Sequence, residues 1–232
     1  MGIRQKKHCT AIVLSAGRGK RMHASVEKQY IELYKRPVIY YTLEIFQSSS
    51  IIDDIVLVVG KGQEEEVYEK IVRKYHFSKV KAVVEGGAER YASVWNGLQA
   101  IADGRIGEES KTGYVFIHDG ARPYVSKKSI NDLVECLKTY DAGLLMVPCK
   151  DTIKEVKEGI VVKTLKRETL MQAQTPQVFK SEDIKVAYQK AKDEGYVATD
   201  DSQLFERYID KDIKAVLGDY SNLKITTQED LK

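Results

Sequence analysis

Short, largely apolar runs alternate along this chain with stretches of helical spacing. Ala11 to Leu14, Ile55 to Val59, Val80 to Val84, Tyr114 to Ile117 and Gly143 to Val147 are runs of strand length, the pattern of strands buried on both faces. Pro37 suits the first turn of a helix through Phe46, with Val38, Tyr41, Ile45 and Phe46 as its apolar stripe. Glu64 to Tyr75, Glu89 to Ala102 (Val94, Leu98 and Ile101 on one face) and Ser129 to Tyr140 read as further helices. Repeated strand–helix units of this kind predict an α/β fold with a mostly parallel sheet covered by helices on both faces. Ligands of such sheets gather at the carboxyl ends of the strands. The segments after the first, third and fourth runs, including Gly86-Gly87 and His118 to Pro123, should therefore meet in one crevice.

After Pro148 the rhythm changes. Thr152 to Val156 and Ile160 to Leu165 flank Lys157-Glu158-Gly159, the signature of a β-hairpin. Gln172 to Pro176 reads as a polar loop. Ser181, as N-cap, begins a helix to Glu194, and Thr199-Asp200-Asp201-Ser202 cap a shorter one through Tyr208. Ile213 to Leu217 and Leu223 to Thr226 are expected to be the last strands. With no internal repeat or long linker, the expectation is one Rossmann-like domain over residues 1–232, with a protruding hairpin arm at about 150–166.

The loop after the first run is dense in cations. Ser15-Ala16-Gly17-Arg18-Gly19-Lys20-Arg21-Met22 combines small residues, which let backbone pass close to a ligand, with Arg18, Lys20 and Arg21, and Lys28 follows. This is a device for holding phosphates. It is not a Walker loop, because Gly17 and Gly19 are too close and Arg21 follows Lys20. Nor is it the dinucleotide fingerprint, whose third glycine is replaced by Met22. A plain strand-to-helix loop with solvated cations is the alternative, and four cations in eleven residues around glycines argue against it.

Overall charge narrows the partners. The 37 basic and 34 acidic residues leave a net charge of +3, without the basic coat of a nucleic-acid binder. Cys9, Cys136 and Cys149 are odd in number and lack C-x-x-C spacing, as expected for reduced thiols of a cytoplasmic protein. The four histidines show no zinc-ligand spacing. No stretch approaches the roughly 20 apolar residues of a membrane span, and the apolar run after the basic Met1–His8 is too short for a signal peptide.

Seven stretches, LSAGRGKRM with EKQY, GGAERYASV, HDGARP, the DT of CKDTIK, KRETL with QTPQVF, ATDDS and NLKIT, resemble in order one family. It is the 2-C-methyl-D-erythritol 4-phosphate cytidylyltransferases of non-mevalonate isoprenoid synthesis. The resemblance implies transfer of CMP from CTP to the polyol phosphate with release of pyrophosphate, and Mg²⁺ carried mainly by the CTP phosphates. It implies catalytic, transition-state-stabilising roles for Arg21 and Lys28, with Ala16, Gly17, Gly19 and Lys20 in the triphosphate loop. Gly87, Ala88 and Ser93 fall where cytosine is read. Asp119, Arg122, Thr152, Thr175 and Thr199 fall on the polyol-phosphate side, where Arg167 and Lys224 match positions that orient the attacking phosphate. Arg167 follows the hairpin, which in the family crosses to a second subunit, so a homodimer with shared sites is implied. Ala88 and Ala92 depart from the pattern, standing where many members carry acids.

The chemistry fits these cations. A phosphate monoester is already anionic near neutral pH, its second pKa being about 6, so it needs no general base. The reaction needs neutralisation of crowded negative charge during in-line attack. Asp119 suits either a metal or the polyol hydroxyls, or a plain turn cap; the hydroxyls are favoured, and no residue is assigned to the metal. A ribitol-5-phosphate cytidylyltransferase of cell-wall polymer synthesis is the rival of like fold. HDGARP and KRETL look more like the isoprenoid enzyme.

Overall fold

The computed structural model describes residues 7–17, 28–227 and 229–231. In chain order, β1 (Cys9–Ser15) is followed by the two-residue strands β2 (Glu32–Leu33) and β3 (Arg36–Pro37), then α1 (Val38–Gln47) and β4 (Asp54–Val59). Next come α2 (Glu64–Val67), β5 (Val80–Glu85), α3 (Arg90–Ala102), β6 (Tyr114–Asp119), α4 (Lys127–Cys136) and β7 (Ala142–Pro148). The hairpin β8 (Lys154–Lys157) and β9 (Ile160–Thr164) precedes β10 (Met171–Lys180), α5 (Ser181–Glu194), α6 (Asp201–Tyr208) and β11 (Ile213–Leu217).

Seven strands form one sheet in the order β11-β7-β10-β6-β1-β4-β5. All adjacent pairs are parallel except the two made by β10, which runs antiparallel between β6 and β7. Every residue of β4 is buried, as its all-apolar run requires of a strand covered on both faces. One core packs Ile39, Leu43 and Phe46 of α1 and Leu133 of α4 against Val13, Leu57 and Phe116. The other packs Val94, Leu98 and Ile101 of α3, Tyr188 of α5 and Phe205 of α6 against Ile12, Val58 and Phe179. From β1 the chain builds outward through β4 to β5, then returns to place β6 on the other side of β1. The loops leaving β1 and β6 therefore diverge, and the crevice of a topological switch point opens between them.

Several elements differ from the sequence expectation. The α1 helix buries Val38 and Phe46 of the expected stripe, but Ile39, Thr42 and Leu43 in place of Tyr41 and Ile45. Tyr41 packs beside a small cluster of Leu33, Val38 and Ile225, its hydroxyl donating to the Leu33 carbonyl at 2.7 Å. The 64–75 helix is a short α2 that widens into a π-helical turn, Tyr68–Arg73. The helix expected over Ser129 to Tyr140 is α4, Lys127–Cys136, capped by Ser126, whose Oγ accepts from the Ser129 amide at 3.0 Å. At α5 the N-cap position is Lys180, and Ser181 is the first helical residue.

The largest correction is at 172–176, which lies inside β10 and is no loop. Gln172 is exposed, but Gln174 and Thr175, with Gln177 just beyond, are buried and bonded. Gln177 donates to Asp200 at 3.0 Å and accepts from the Ser202 amide at 2.9 Å, while Gln174 donates to the Asp219 carbonyl at 2.8 Å. Residues 223–226 form no strand; the Ile225 amide donates to the Ala121 carbonyl at 2.8 Å, laying this segment across the carboxyl end of the sheet. The hairpin closes in a two-residue turn with φ of +51° at Glu158 and +82° at Gly159, the geometry that matches strand twist. Both of its strands are exposed throughout.

Candidate active site

A cavity of about 910 Å³ occupies the predicted crevice. Its walls include Ala16 and Gly17 after β1, Gly86 to Glu89 after β5, Asp119 at the end of β6, and Lys224 from the C-terminal segment. Two features hold the Gly86-Gly87 wall in place. A Cβ on Gly86 would overlap Ala16, and one on Gly87 would overlap Ala92 and lie 3.0 Å from its carbonyl carbon. Only glycine permits these close approaches. The buried Ser93 Oγ accepts from the Gly87 amide at 3.1 Å and donates to the Glu89 carbonyl at 3.2 Å. Gln29, also on the cavity wall, donates to the Ser15 carbonyl at 2.6 Å and ties the segment after the loop back to β1.

Asp119 is the electrostatic centre. It extends β6 beyond the expected end at Ile117 and pairs in register with Leu14 of β1. Lys224 Nζ lies 2.7 Å from Asp119 Oδ2, Arg90 Nε lies 3.3 Å from Oδ1, and Arg122 Nε lies 3.8 Å from Oδ2. Burial alone would raise the Asp119 pKa, but Arg90, Lys224 and Arg122 outweigh it and hold the carboxyl far below the usual carboxylate range. Asp119 is thus a permanent anion inside a cationic collar. Arg122 is anchored in turn, donating from Nη1 to the Asn222 carbonyl at 2.7 Å.

A neutral histidine supports this carboxylate from below. His118 is fully buried, and burial lowers its pKa from 6.5 to about 4, with Asp119 pulling the other way. Its Nε2 meets the Arg122 carbonyl at 3.1 Å and its Nδ1 meets Thr175 Oγ1 at 3.0 Å. Thr175 Oγ1 also accepts from the Asp119 amide at 3.0 Å. One tautomer satisfies all three contacts: Nε2–H donates to the carbonyl, and Nδ1 accepts from the Thr175 hydroxyl.

The family model for 2-C-methyl-D-erythritol 4-phosphate cytidylyltransferase, IspD, matches residues 9–232. The chain belongs to this family. A family member from Alkaliphilus metalliredigens is 45% identical over 223 residues, covering 96% of this chain and 89% of that protein. Another from Lachnospira eligens is 44% identical over 226 residues, covering 96% of both. The crystal structure of 4-diphosphocytidyl-2C-methyl-D-erythritol synthase from Anaerococcus prevotii superposes with a TM-score of 0.83 at 33% identity, covering 98% of this chain and 96% of that one. As a cytidylyltransferase the chain is a nucleotidyltransferase enzyme, and its α/β sheet is that of its IspD neighbours.

The cleft brings together Ala16, Gly17, Gly87, Ala88, Ser93, Asp119 and Lys224 of the residues expected from sequence. Gly19, Lys20 and Arg21 lie outside the described residues, and Lys28 opens the 3₁₀ turn Lys28–Tyr30. Thr175 is buried beneath Asp119, bonded as above. Thr199 is exposed, its amide and hydroxyl donating to Gln203 Oε1 at 2.8 and 3.2 Å. Thr152 and Arg167 do not line the cleft of their own chain. Both are exposed at the foot of the hairpin, where Arg167 Nη1 donates to the Lys150 carbonyl at 3.0 Å.

Sequence reasoning missed Arg90 and Asp201. Both fall in the family-like stretches GGAERYASV and ATDDS, but nothing in a sequence pairs residues 111 positions apart. Among the described residues no three His, Cys, Asp or Glu side chains cluster to hold a resident metal, and the three charged neighbours of Asp119 are all cations. Also among the described residues, no helix is long and apolar enough to cross a membrane.

Proposed function

We propose that the chain transfers CMP from CTP to the phosphate of 2-C-methyl-D-erythritol 4-phosphate, in the synthesis of isoprenoid precursors. A non-bridging oxygen of the polyol phosphate attacks the α-phosphorus of CTP, the new P–O bond forms, and the α–β bridging bond breaks to release pyrophosphate. The single observation that carries this reading is the position of the caged Asp119 opposite the glycine wall of one cleft, at the switch point beside the β1 loop. Main-chain groups of Gly87 and Ala88, with the Ser93 hydroxyl, read the cytosine. Ala16, Gly17, Gly19 and Lys20 wrap the triphosphate, and Arg21 and Lys28 stabilise the charge that builds at the α-phosphorus.

On the other side Asp119 accepts hydrogen bonds from the polyol hydroxyls, while Arg122 and Lys224 hold the attacking phosphate. Lys224 is suited to this because it already stands against Asp119 and has only to reach past it. Thr175 serves by aiming Asp119, and Thr199 closes the margin of the site. Mg²⁺ carried by the CTP phosphates would neutralise part of their charge, and the chain's own cations supply the rest. The protein works as one domain in the cytoplasm, as a homodimer whose hairpin arm carries Thr152 and Arg167 to the neighbouring site. Exposed Val156, Ile160, Val161 and Val162 on that arm support the dimer, since a two-stranded ribbon is marginal alone in water.

Relatives named for the methylerythritol substrate do not favour the ribitol rival. Parallel pyrophosphate-release assays with CTP test the choice. The expected result is turnover with 2-C-methyl-D-erythritol 4-phosphate far above that with ribitol 5-phosphate, and the reverse preference would overturn it.

A further inference from the structure

Arg90 is shared between two carboxylates. Its Nη1 and Nη2 donate to Asp201 Oδ1 and Oδ2 at 2.8 and 2.6 Å, a bidentate pair, which leaves Nε for Asp119 at 3.3 Å. Asp201 is fully buried at the start of α6, and it does not line the main cleft, whereas Arg90 and Asp119 do. Its Oδ1 also accepts from the buried Tyr188 hydroxyl at 2.5 Å. A buried carboxylate with both oxygens committed is a rigid mount, and a guanidinium gripped on its forked end presents its remaining N–H in one direction.

We infer that Asp201 is a positioning residue for the polyol phosphate, acting through Arg90 on Asp119. This rests on the reading above, in which Asp119 accepts from the polyol hydroxyls. With Asp201 in place, Arg90 takes a single bond to Oδ1 and Lys224 keeps Oδ2. The outer lone pairs of Asp119 stay open to the cleft. Without Asp201, the planar fork of Arg90 is free to turn and grip both Asp119 oxygens side by side. That geometry is favoured for an arginine–carboxylate pair, and it competes with Lys224 and with the substrate hydroxyls together. The mount thus keeps the site's anion half-engaged.

The test compares Asp201→Asn, Arg90→Lys, Tyr188→Phe and Asp119→Asn in the full chain, with circular dichroism confirming the fold. Asp201→Asn should raise KM for the polyol phosphate about tenfold or more, the scale of losing an aligned hydrogen bond to a charged group. KM for CTP and kcat should stay within about threefold, the signature of lost ground-state binding. Added to Asp119→Asn, the same substitution should contribute less than about twofold, because both act through one carboxylate. Tyr188→Phe leaves the Arg90 pair intact and should change KM little. The second readout is the ¹⁵Nε–Hε signal of Arg90, assigned by its loss in Arg90→Lys. It should weaken in Asp201→Asn as it does in Asp119→Asn.

An unchanged KM in Asp201→Asn, full additivity with Asp119→Asn, or an equal rise in Tyr188→Phe overturns the proposal. If Asp201→Asn does not fold, Arg90→Lys decides it. An ammonium cannot span both carboxylates, so that variant must show the same KM split, and normal KM overturns the inference. If Asp119→Asn itself leaves KM unchanged, the polyol reading of Asp119 falls instead. The Arg90 signal then judges the mount alone: persistence in Asp201→Asn overturns it, and loss upholds it.

Discussion

His118 sits one residue from the carboxylate at the centre of the cleft, and its protonation is written into stability. In the fold it stays neutral down to about pH 4, whereas the unfolded chain takes up a proton at the ordinary 6.5. The unfolded state therefore binds more protons between these values, and stability falls as pH is lowered from 6.5 to 4. At about 1.4 kcal/mol per unit, the loss across that window is on the order of 3 kcal/mol. Asp119, with its depressed pKa, adds a separate loss only as pH falls below the ordinary carboxylate value of 3.8. Urea midpoints measured from pH 7 to 4 should fall for the native protein and show a flatter slope for His118→Gln; equal slopes would contradict the buried neutral imidazole. Gly87→Ala should weaken CTP, because the added methyl must push Ala92 aside and move the wall that reads the base. A titration calorimetry Kd for CTP about tenfold higher is expected if one aligned main-chain bond is lost. Lys28→Ala should fold normally and lose about 10²–10³ in turnover, the usual result of deleting one preorganised stabiliser. Near-normal turnover in that variant would remove Lys28 from the chemistry.

The parallel half of the sheet, β1 to β6, was legible because buried strands and amphipathic helices carry opposite apolar periods, as β4 and α3 do. The antiparallel strand β10 was hidden. Gln174, Thr175 and Gln177 look like loop residues until the partners that bury them are known, and those partners lie on β6, α6 and the C-terminal segment. Leu223 to Thr226 erred in the other direction, since its apolar content suggested a strand where Ile225 pins a strap that carries Lys224 to Asp119. The hairpin was legible from its turn residues, and its exposed valines ask for a partner. If the arm crosses a two-fold axis, a Lys28→Ala chain mixed with an Arg167→Ala chain should regain activity after subunit exchange. Both defects then fall in one site and leave the other whole. Mixed protein as inactive as its parents, or a monomer on sizing at working concentration, would contradict the shared site.

At the scale of the whole molecule, the switch point between β1 and β6 explains why one cleft gathers residues from the start, middle and end of the chain. The glycine wall and Asp119 were visible as motifs, and the Arg90–Asp201 mount was not, because it exists only in three dimensions. The base side of the cleft should favour CTP over UTP: uracil inverts the hydrogen-bonding polarity at two ring positions, costing about 1–3 kcal/mol for each buried group left unpaired. Comparable kcat/KM for the two nucleotides would show that the base is read elsewhere. The central claim is that the polyol phosphate itself attacks the α-phosphorus of CTP. Its most direct test is to run the reaction with 2-C-methyl-D-erythritol 4-phosphate carrying ¹⁸O in its phosphate and weigh the products. The account predicts that the label stays in the cytidylylated polyol, one ¹⁸O becoming its phosphorus-bridging atom, while the pyrophosphate carries none. Labelled pyrophosphate, or CMP released in place of a cytidylylated product, would contradict it.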